Sequence, residues 1–422
     1  MWKKVFNLGP IGRDSLINTS GTFVIGLIGL IFYVLVARHL GPEQFGLFTV
    51  AASILVVGAD IFDFGTNTGI VRFVAQAISE KKLNQASKIA KFAFVFKSLI
   101  GVALAIVGFL ISEPLANLVF KQPQLANVLP LAFLGILITL WLGFFNSVLQ
   151  AFKKFLQAII INFAANLLRL VAILVLVFLG KVAILTTMAV FAISPILGVF
   201  AGWLILPLKG IYQSKIDKDL ALKFLGFNKW IAVGFMLAAI QVRLPNFLLV
   251  RLSDAVQTGL FSVASALTLF APQITTALSV TFAPRFAQVK NHQELKPVLQ
   301  NAIFVTTVFA ILTFILIPTA NFVFNLTVGA QFLEAVPSFQ ILVISAFFLI
   351  LTAPQSAVII YFWEKPTVYA LLSTVQLLII LVLNFLLVPN FGAKGAAIAS
   401  FVATVVGFLA SSFYVILRWR KQ

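Results

Sequence analysis

The sequence predicts an all-α integral membrane protein, with twelve transmembrane helices in two six-helix lobes related by internal duplication. Three observations lead there. The first is composition: of 422 residues, 61% are hydrophobic and only 10% charged, whereas a soluble domain carries roughly a quarter charged residues. The second is pattern. A lipid bilayer offers backbone amides no partner, so spanning structure is restricted to helices or closed barrels. Apolar runs such as 100–110 and 377–388 do not alternate with polar residues, which selects helices and excludes a barrel. The third is recurrence, because short motifs of the first half return in the second at fixed offsets.

With about 20 apolar residues needed per crossing, the spans fall at 15–37, 45–71, 89–111, 128–150, 157–179, 182–208, 230–250, 259–283, 298–320, 335–360, 367–388 and 395–417. The first run is longer than a signal-peptide core and ends in Arg38-His39 rather than at a small-residue cleavage site. It reads as a retained helix. Charge then orients the set. Of 30 Lys and Arg residues, placing the N-terminus in the cytoplasm puts 22 in cytoplasmic segments, five outside and three (Lys97, Arg169 and Arg243) within spans. Basic residues of short loops stay cytoplasmic, so both termini are expected inside. The net charge of +18 is thereby a membrane-surface feature that attracts anionic lipid headgroups, and no nucleic-acid partner is expected.

Gly46-Leu47-Phe48-Thr49-Val50-Ala51 recurs as Gly259-Leu260-Phe261-Ser262-Val263-Ala264, an offset of 213 that also pairs Arg38 with Arg251 and Arg72 with Arg285. A further match, Pro114 to Phe120 against Pro318 to Phe324, has an offset of 204. Glycine, arginine and proline at fixed offsets are not explained by apolar composition. Six helices per copy means that both halves enter from the same side, the parallel-repeat case. The expected domains are a lobe at 1–208, a cytoplasmic linker at 209–229 and a second lobe at 230–422. Two lobes around a central cavity is transporter architecture.

Arg38-His39-Leu40-Gly41-Pro42-Glu43-Gln44-Phe45-Gly46-Leu47 resembles the first-loop signature of the polysaccharide transporter family. These are the O-antigen-type oligosaccharide flippases of the multidrug/oligosaccharidyl-lipid/polysaccharide exporter superfamily. Asp63-Phe64-Gly65 followed by Arg72 is similar to the second-helix motif of the family. Pro389-Asn390-Phe391-Gly392-Ala393-Lys394-Gly395 resembles its signature before the last helix, and Gly259-Leu260-Phe261 with Pro284 fits its eighth. The matches span nearly the whole chain. The resemblance implies a flippase that moves a polyprenyl-diphosphate-linked oligosaccharide to the outer leaflet of a prokaryotic cytoplasmic membrane by alternating access. It implies glycan polymerase and glycosyltransferases as working partners. Arg38, Gly41, Gly46, Arg72, Pro389, Gly392 and Gly395 are expected to shape tight helix ends and close packing rather than to bind.

Ionisable groups inside a membrane are costly and are functional candidates by default. Asn162, Asn166 and Arg169 are spaced four then three apart, on one face of the fifth span, and are expected to line the cavity and meet phosphate or sugar hydroxyls. Arg243 precedes Asn246 by three residues with Pro245 between them. Its guanidinium matches two phosphate oxygens at once. Lys97 is a third basic candidate for the substrate. Asp60 and Asp63, with Asn67, form a polar stripe on the second span and are the candidates for coupling to protons or sodium. Asp63 is also placed to pair with Arg72, and Asp60 with Lys97. Against each function stands bracing between helices, or snorkelling of the long basic chains.

No cofactor and no metal are expected. There is no cysteine, His39 and His292 are isolated, and Gly392-Ala393-Lys394-Gly395 lacks the spacing of a nucleotide-binding loop. A multidrug or lipid II exporter of the same superfamily is the nearest alternative. A membrane glycosyltransferase or polymerase is less favoured, since the outer loops carry only the scattered Glu43, Glu113, Asp254 and Glu334.

Overall fold

In the computed structural model, residues 10–206, 214, 217–289 and 291–420 are described. Fourteen α-helices, labelled α1 to α14 in chain order, account for nearly all of them, and the described residues contain no strand. Nine helical stretches among them are long and apolar enough to cross a membrane. Their exteriors carry residues such as Leu99, Phe109, Phe178 and Phe304, each more than 60% exposed. So much bare apolar surface is tolerable only where lipid replaces water.

The first helix, α1 (Pro10–Phe62), is a hairpin rather than a rod. Phe32 and Phe48 are 16 residues apart, about 24 Å in a straight helix at 1.5 Å per residue, yet their ring centroids lie 6.3 Å apart. The reversal is at Gly41, whose φ of 75° and ψ of 171° favour glycine. Pro42 follows at the first position of the returning arm, where a missing amide costs nothing. The last helix, α14 (Pro366–Arg420), does the same at Gly392 (φ 51°, ψ −129°). Across that bend Gln376 donates to the carbonyl of Ala403, 3.4 Å away. The backbone amide of Ala393, orphaned by the turn, donates to Gln257 Oε1 at 2.9 Å.

The second expected span, 45–71, is interrupted. Helix α1 stops at Phe62 and α2 (Thr66–Ser79) begins after Phe64 and Gly65, both at positive φ. The Asp63 carboxylate stabilises the restart, accepting from the Thr66 hydroxyl at 3.0 Å and the Asn67 amide at 3.2 Å.

The chain divides into two compact units, residues 1–40 with 47–243, and residues 41–46 with 244–422. In the first unit, α2, α3 (Leu83–Pro114), α4 (Leu129–Ala151), α5 (Phe155–Phe178) and α7 (Pro195–Ile205) pack around Phe144, Phe145, Val148 and Ile161, and α6 (Ile184–Ile193) packs on α4 and α5. In the second, α10 (Phe270–Ala287), α11 (His292–Thr313), α13 (Val336–Ala357) and α14 pack around Phe282, Phe286, Ile350 and Val358, with α9 (Ala255–Leu267) on α13 and α14 and α12 (Ala320–Thr327) on α13. The division between these compact units falls at Arg243 and Leu244, after the linker expected over 209–229. Part of that segment lies outside the described residues. The rest is ordered: α8 (Lys218–Leu252) runs unbroken through the boundary, with Phe224 buried in the first unit's core. Its start is tied to α3 by Lys88 on Asp217 at 3.4 Å and by Lys91 on the Ser214 carbonyl at 2.7 Å. The Leu220 amide, ahead of Lys88, holds the Asp217 carboxyl below its ordinary pKa.

Within the second unit, segment 41–46 crosses α9 at backbone contact. A Cβ on Gly46 would lie 1.9 Å from the Ala255 carbonyl oxygen, and one on Gly259 would lie 1.9 Å from that of Pro42. Pro42 and Ala255 are 213 residues apart, as are Gly46 and Gly259. The contact is reciprocal.

Candidate substrate cavity in the first unit

The end of α1, the start of α2, and the facing sides of α4 and α5 line an open cavity of about 270 Å³. Its polar lining is Asp60, Asp63, Asn67, Thr68, Thr139, Asn146 and Asn162, with Ala59, Leu140, Leu142 and Gly143 as the apolar part. Asp60, Asp63 and Asn67 converge there although the helix carrying them breaks between Phe62 and Thr66. The turn redirects α2 without taking Asn67 off the common face.

Beneath this lining is a buried ion pair. Lys97 of α3, with no exposed surface, donates to Asp63 Oδ1 and, at 3.1 Å, to Asn67 Oδ1. Asn67 Oδ1 also accepts from the Ser147 hydroxyl of α4 at 3.0 Å. The expected alternatives give way to this arrangement. Lys97 pairs with Asp63, leaving Asp60 open to the cavity, and the Arg72 guanidinium stacks over Phe227 (4.1 Å) and Phe73 (5.6 Å) instead of meeting Asp63. Lys97, expected to reach substrate, is placed behind the lining with Asp63 and Asn67 as its partners.

The stripe on α5 separates by depth. Asn162 lines the cavity, its amide nitrogen donating to the Ala158 carbonyl at 2.7 Å. Asn166 donates to the Asn162 carbonyl at 2.9 Å and accepts from Arg169 at 3.4 Å. The Arg169 donors are committed further: Nε reaches Ser194 Oγ at 3.1 Å and a terminal nitrogen reaches the Phe191 carbonyl at 3.3 Å. Its guanidinium also sits 4.3 Å from the Phe191 ring centroid and 5.7 Å from that of Phe32. The residue ties α5 to α6 and α1, and it is not part of the cavity lining.

Arg243, half-buried on α8, lies within electrostatic reach of Asp60. Asn246, three residues on, is buried and belongs to the second unit. Arg38 is exposed at the end of the first arm of α1. Thr68, Thr139 and Asn146 are lining residues that the sequence reading did not single out. Asn146 had a readable signal, as an amide within an apolar span and one turn before Gln150, which donates to it at 3.1 Å. No group of three or more His, Cys, Asp or Glu residues that could hold a metal occurs among the described residues.

A model of the family described as polysaccharide biosynthesis protein matches residues 11–290. The chain belongs to this family. Among the relatives of this polysaccharide biosynthesis family member is a Shigella flexneri protein named "Putative O-antigen transporter", 23% identical over 94% of this chain and 96% of its own length. An uncharacterized membrane protein of Methanocaldococcus jannaschii is 25% identical over 97% of this chain and 99% of its own. Of solved structures, the lipid II flippase MurJ in an inward closed conformation superposes with a TM-score of 0.76 at 17% identity, covering 95% of this chain and 87% of MurJ. An inward-facing multidrug resistance transporter of the MATE family gives 0.73 at 15% identity, covering 93% and 95%. The fold of this family member is similar to those of MurJ and the MATE transporter, and the protein is a multi-pass membrane protein.

Proposed function

We propose that this protein is a flippase, carrying a polyprenyl-diphosphate-linked oligosaccharide from the cytoplasmic to the outer leaflet of a prokaryotic cytoplasmic membrane by alternating access. The observation carrying this reading is the polar cavity of the first unit, set in a chain whose outside is apolar and whose family is polysaccharide biosynthesis. A membrane-embedded cavity lined by amides, hydroxyls and a carboxylate suits sugar hydroxyls, while the apolar exterior suits a polyprenyl tail. The two hairpins give α1 and α14 two membrane-crossing arms each, in keeping with twelve crossings. The reciprocal contact of Gly46 with Gly259 supports two lobes derived by duplication. Anionic lipids face the basic cytoplasmic side, where both termini lie.

Arg243 serves the diphosphate, since Arg169 is occupied in bracing. Asp60 couples transport to protons or sodium, because it is the lining carboxylate without a basic partner within 4 Å among the described residues. Asp60→Asn should abolish the proton or sodium dependence of transport in vesicles while the protein inserts normally. Unchanged ion dependence would remove Asp60 from coupling.

A fluorescent lipid-linked oligosaccharide in vesicles provides the direct test. It should become accessible to an impermeant outer reagent faster with the protein than in protein-free vesicles, and equal rates would refute flipping. The second reading, a cation-coupled drug exporter, draws on the MATE-like fold and the open Asp60 carboxylate. A strain lacking the protein would separate them, by missing surface glycan for the flippase and by sensitivity to cationic drugs for the exporter.

A further inference from the structure

We infer that the first-unit cavity is a subsite for a single neutral or amino sugar ring, and that it rejects uronic acids. This deepens the flippase reading and rests on it. The size sets the first limit. Pockets that enclose drug-sized ligands run to about 300–1,000 Å³, so about 270 Å³ holds one ring, with the rest of an oligosaccharide lying outside the lining. Hydrogen-bonding capacity sets the second. Asn146 spends its carbonyl on Gln150, which leaves its amide N–H groups for a ligand oxygen. Asn162 spends its nitrogen on Ala158, which leaves its carbonyl for a ligand hydroxyl. The exposed Thr68 hydroxyl both donates and accepts. Leu140 and Leu142 supply an apolar wall of the kind that the C–H face of a pyranose covers. Donors, acceptors and an apolar face together fit a sugar better than a flat hydrophobic cation.

Charge sets the third limit. The lining holds two carboxylates, Asp60 and the Lys97-paired Asp63, and no cation. Lys97 is buried against Asp63 and Asn67, and Arg169 is turned to Ser194 and Phe191. Arg243 acts on Asp60 from outside the lining. A ring bearing its own carboxylate therefore meets a like charge at short range, with no lining cation to offset it. A hydroxyl or ammonium in the same place is bound by a charge-assisted hydrogen bond.

The test uses the purified full chain in detergent at neutral pH, with methyl glucoside, methyl N-acetylglucosaminide and methyl glucuronide titrated by saturation-transfer NMR. The two neutral glycosides should bind at least about tenfold more tightly than the glucuronide, a difference of about 1.4 kcal/mol. Asp60→Asn should bring the glucuronide to within about threefold of them, and Asn146→Ala should weaken all three by about fivefold or more. Glucuronide binding equal to that of the neutral glycosides, or glycoside binding indifferent to Asn146→Ala, overturns the inference. A parallel titration with sugar-free polyprenyl diphosphate tells the two readings apart. If that lipid binds and no glycoside does, the subsite is refuted while the flippase stands. If neither binds, the flippase reading falls with it.

Discussion

Two basic residues that look alike in the sequence have different work. Lys97 and Arg169 both stand within apolar spans, and both have helix-bracing partners that only the fold reveals. Lys97 was ambiguous because Asp60 and Asp63 lie one turn apart, and only the fold shows that it meets Asp63. Removing one partner of a buried ion pair typically costs about 3–5 kcal/mol, while removing both is far milder. Lys97→Met should therefore lower the melting temperature in detergent sharply, and Lys97→Met combined with Asp63→Asn should recover more than half of the loss. An unrecovered double variant would show that the pair does more than neutralise itself. Arg169 makes hydrogen bonds and ring contacts of the kind worth about 0.5–3 kcal/mol each. Arg169→Ala should lower the melting temperature while leaving the affinity for polyprenyl diphosphate within about two-fold, and Arg243→Ala should do the reverse. A selective loss of affinity in Arg169→Ala would return that residue to the substrate. The sequence placed Arg169, Asn162 and Asn166 on one face correctly, but a helix face does not say which part of it meets a cavity and which a neighbouring helix.

Among the helices, glycines divide by what surrounds them rather than by the motif they belong to. Gly46 and Gly259 each sit where a Cβ would be driven into a backbone carbonyl 1.9 Å away, which no rotamer can relieve. Gly26 and Gly29, on the first arm of α1, would meet nothing within 4 Å. Gly46→Ala and Gly259→Ala should thus reduce the yield of monodisperse protein severely. Gly26→Ala should be neutral or stabilising, by up to about 1 kcal/mol from helix propensity. Fluorescence-detected size-exclusion profiles of the three variants check this, and equal profiles would contradict the close crossing. The repeated Gly-Leu-Phe motif was visible in the sequence, and the reason for its glycine was not, because the two copies meet each other across more than two hundred residues of chain.

At the scale of the molecule, the all-helical membrane character was legible from hydropathy, since a crossing of about 20 apolar residues leaves a signal that needs no tertiary context, and nine such stretches stand among the described residues. Hydropathy was weaker at 218–229, where lysines and aspartates suggested a solvated linker while Ala221, Phe224 and Asn228 are buried in helix α8. Orientation rests on charge. Because the chain has no cysteine, single cysteines placed at Ser214 and Gln422 give a clean readout, and both should be labelled only from the cytoplasmic side. Labelling of either from outside would overturn the topology. The buried pair at Asp63 and Lys97 also has an electrical consequence. One elementary charge carried through the full field of a membrane gains or loses about 2.3 kcal/mol per 100 mV, but a cation and an anion carried together gain or lose almost nothing. Whatever displacement this part of the first unit undergoes along the membrane normal, the voltage does no net work on the pair, and its grip on the protein is left to the charges at Asp60, Arg169 and Arg243.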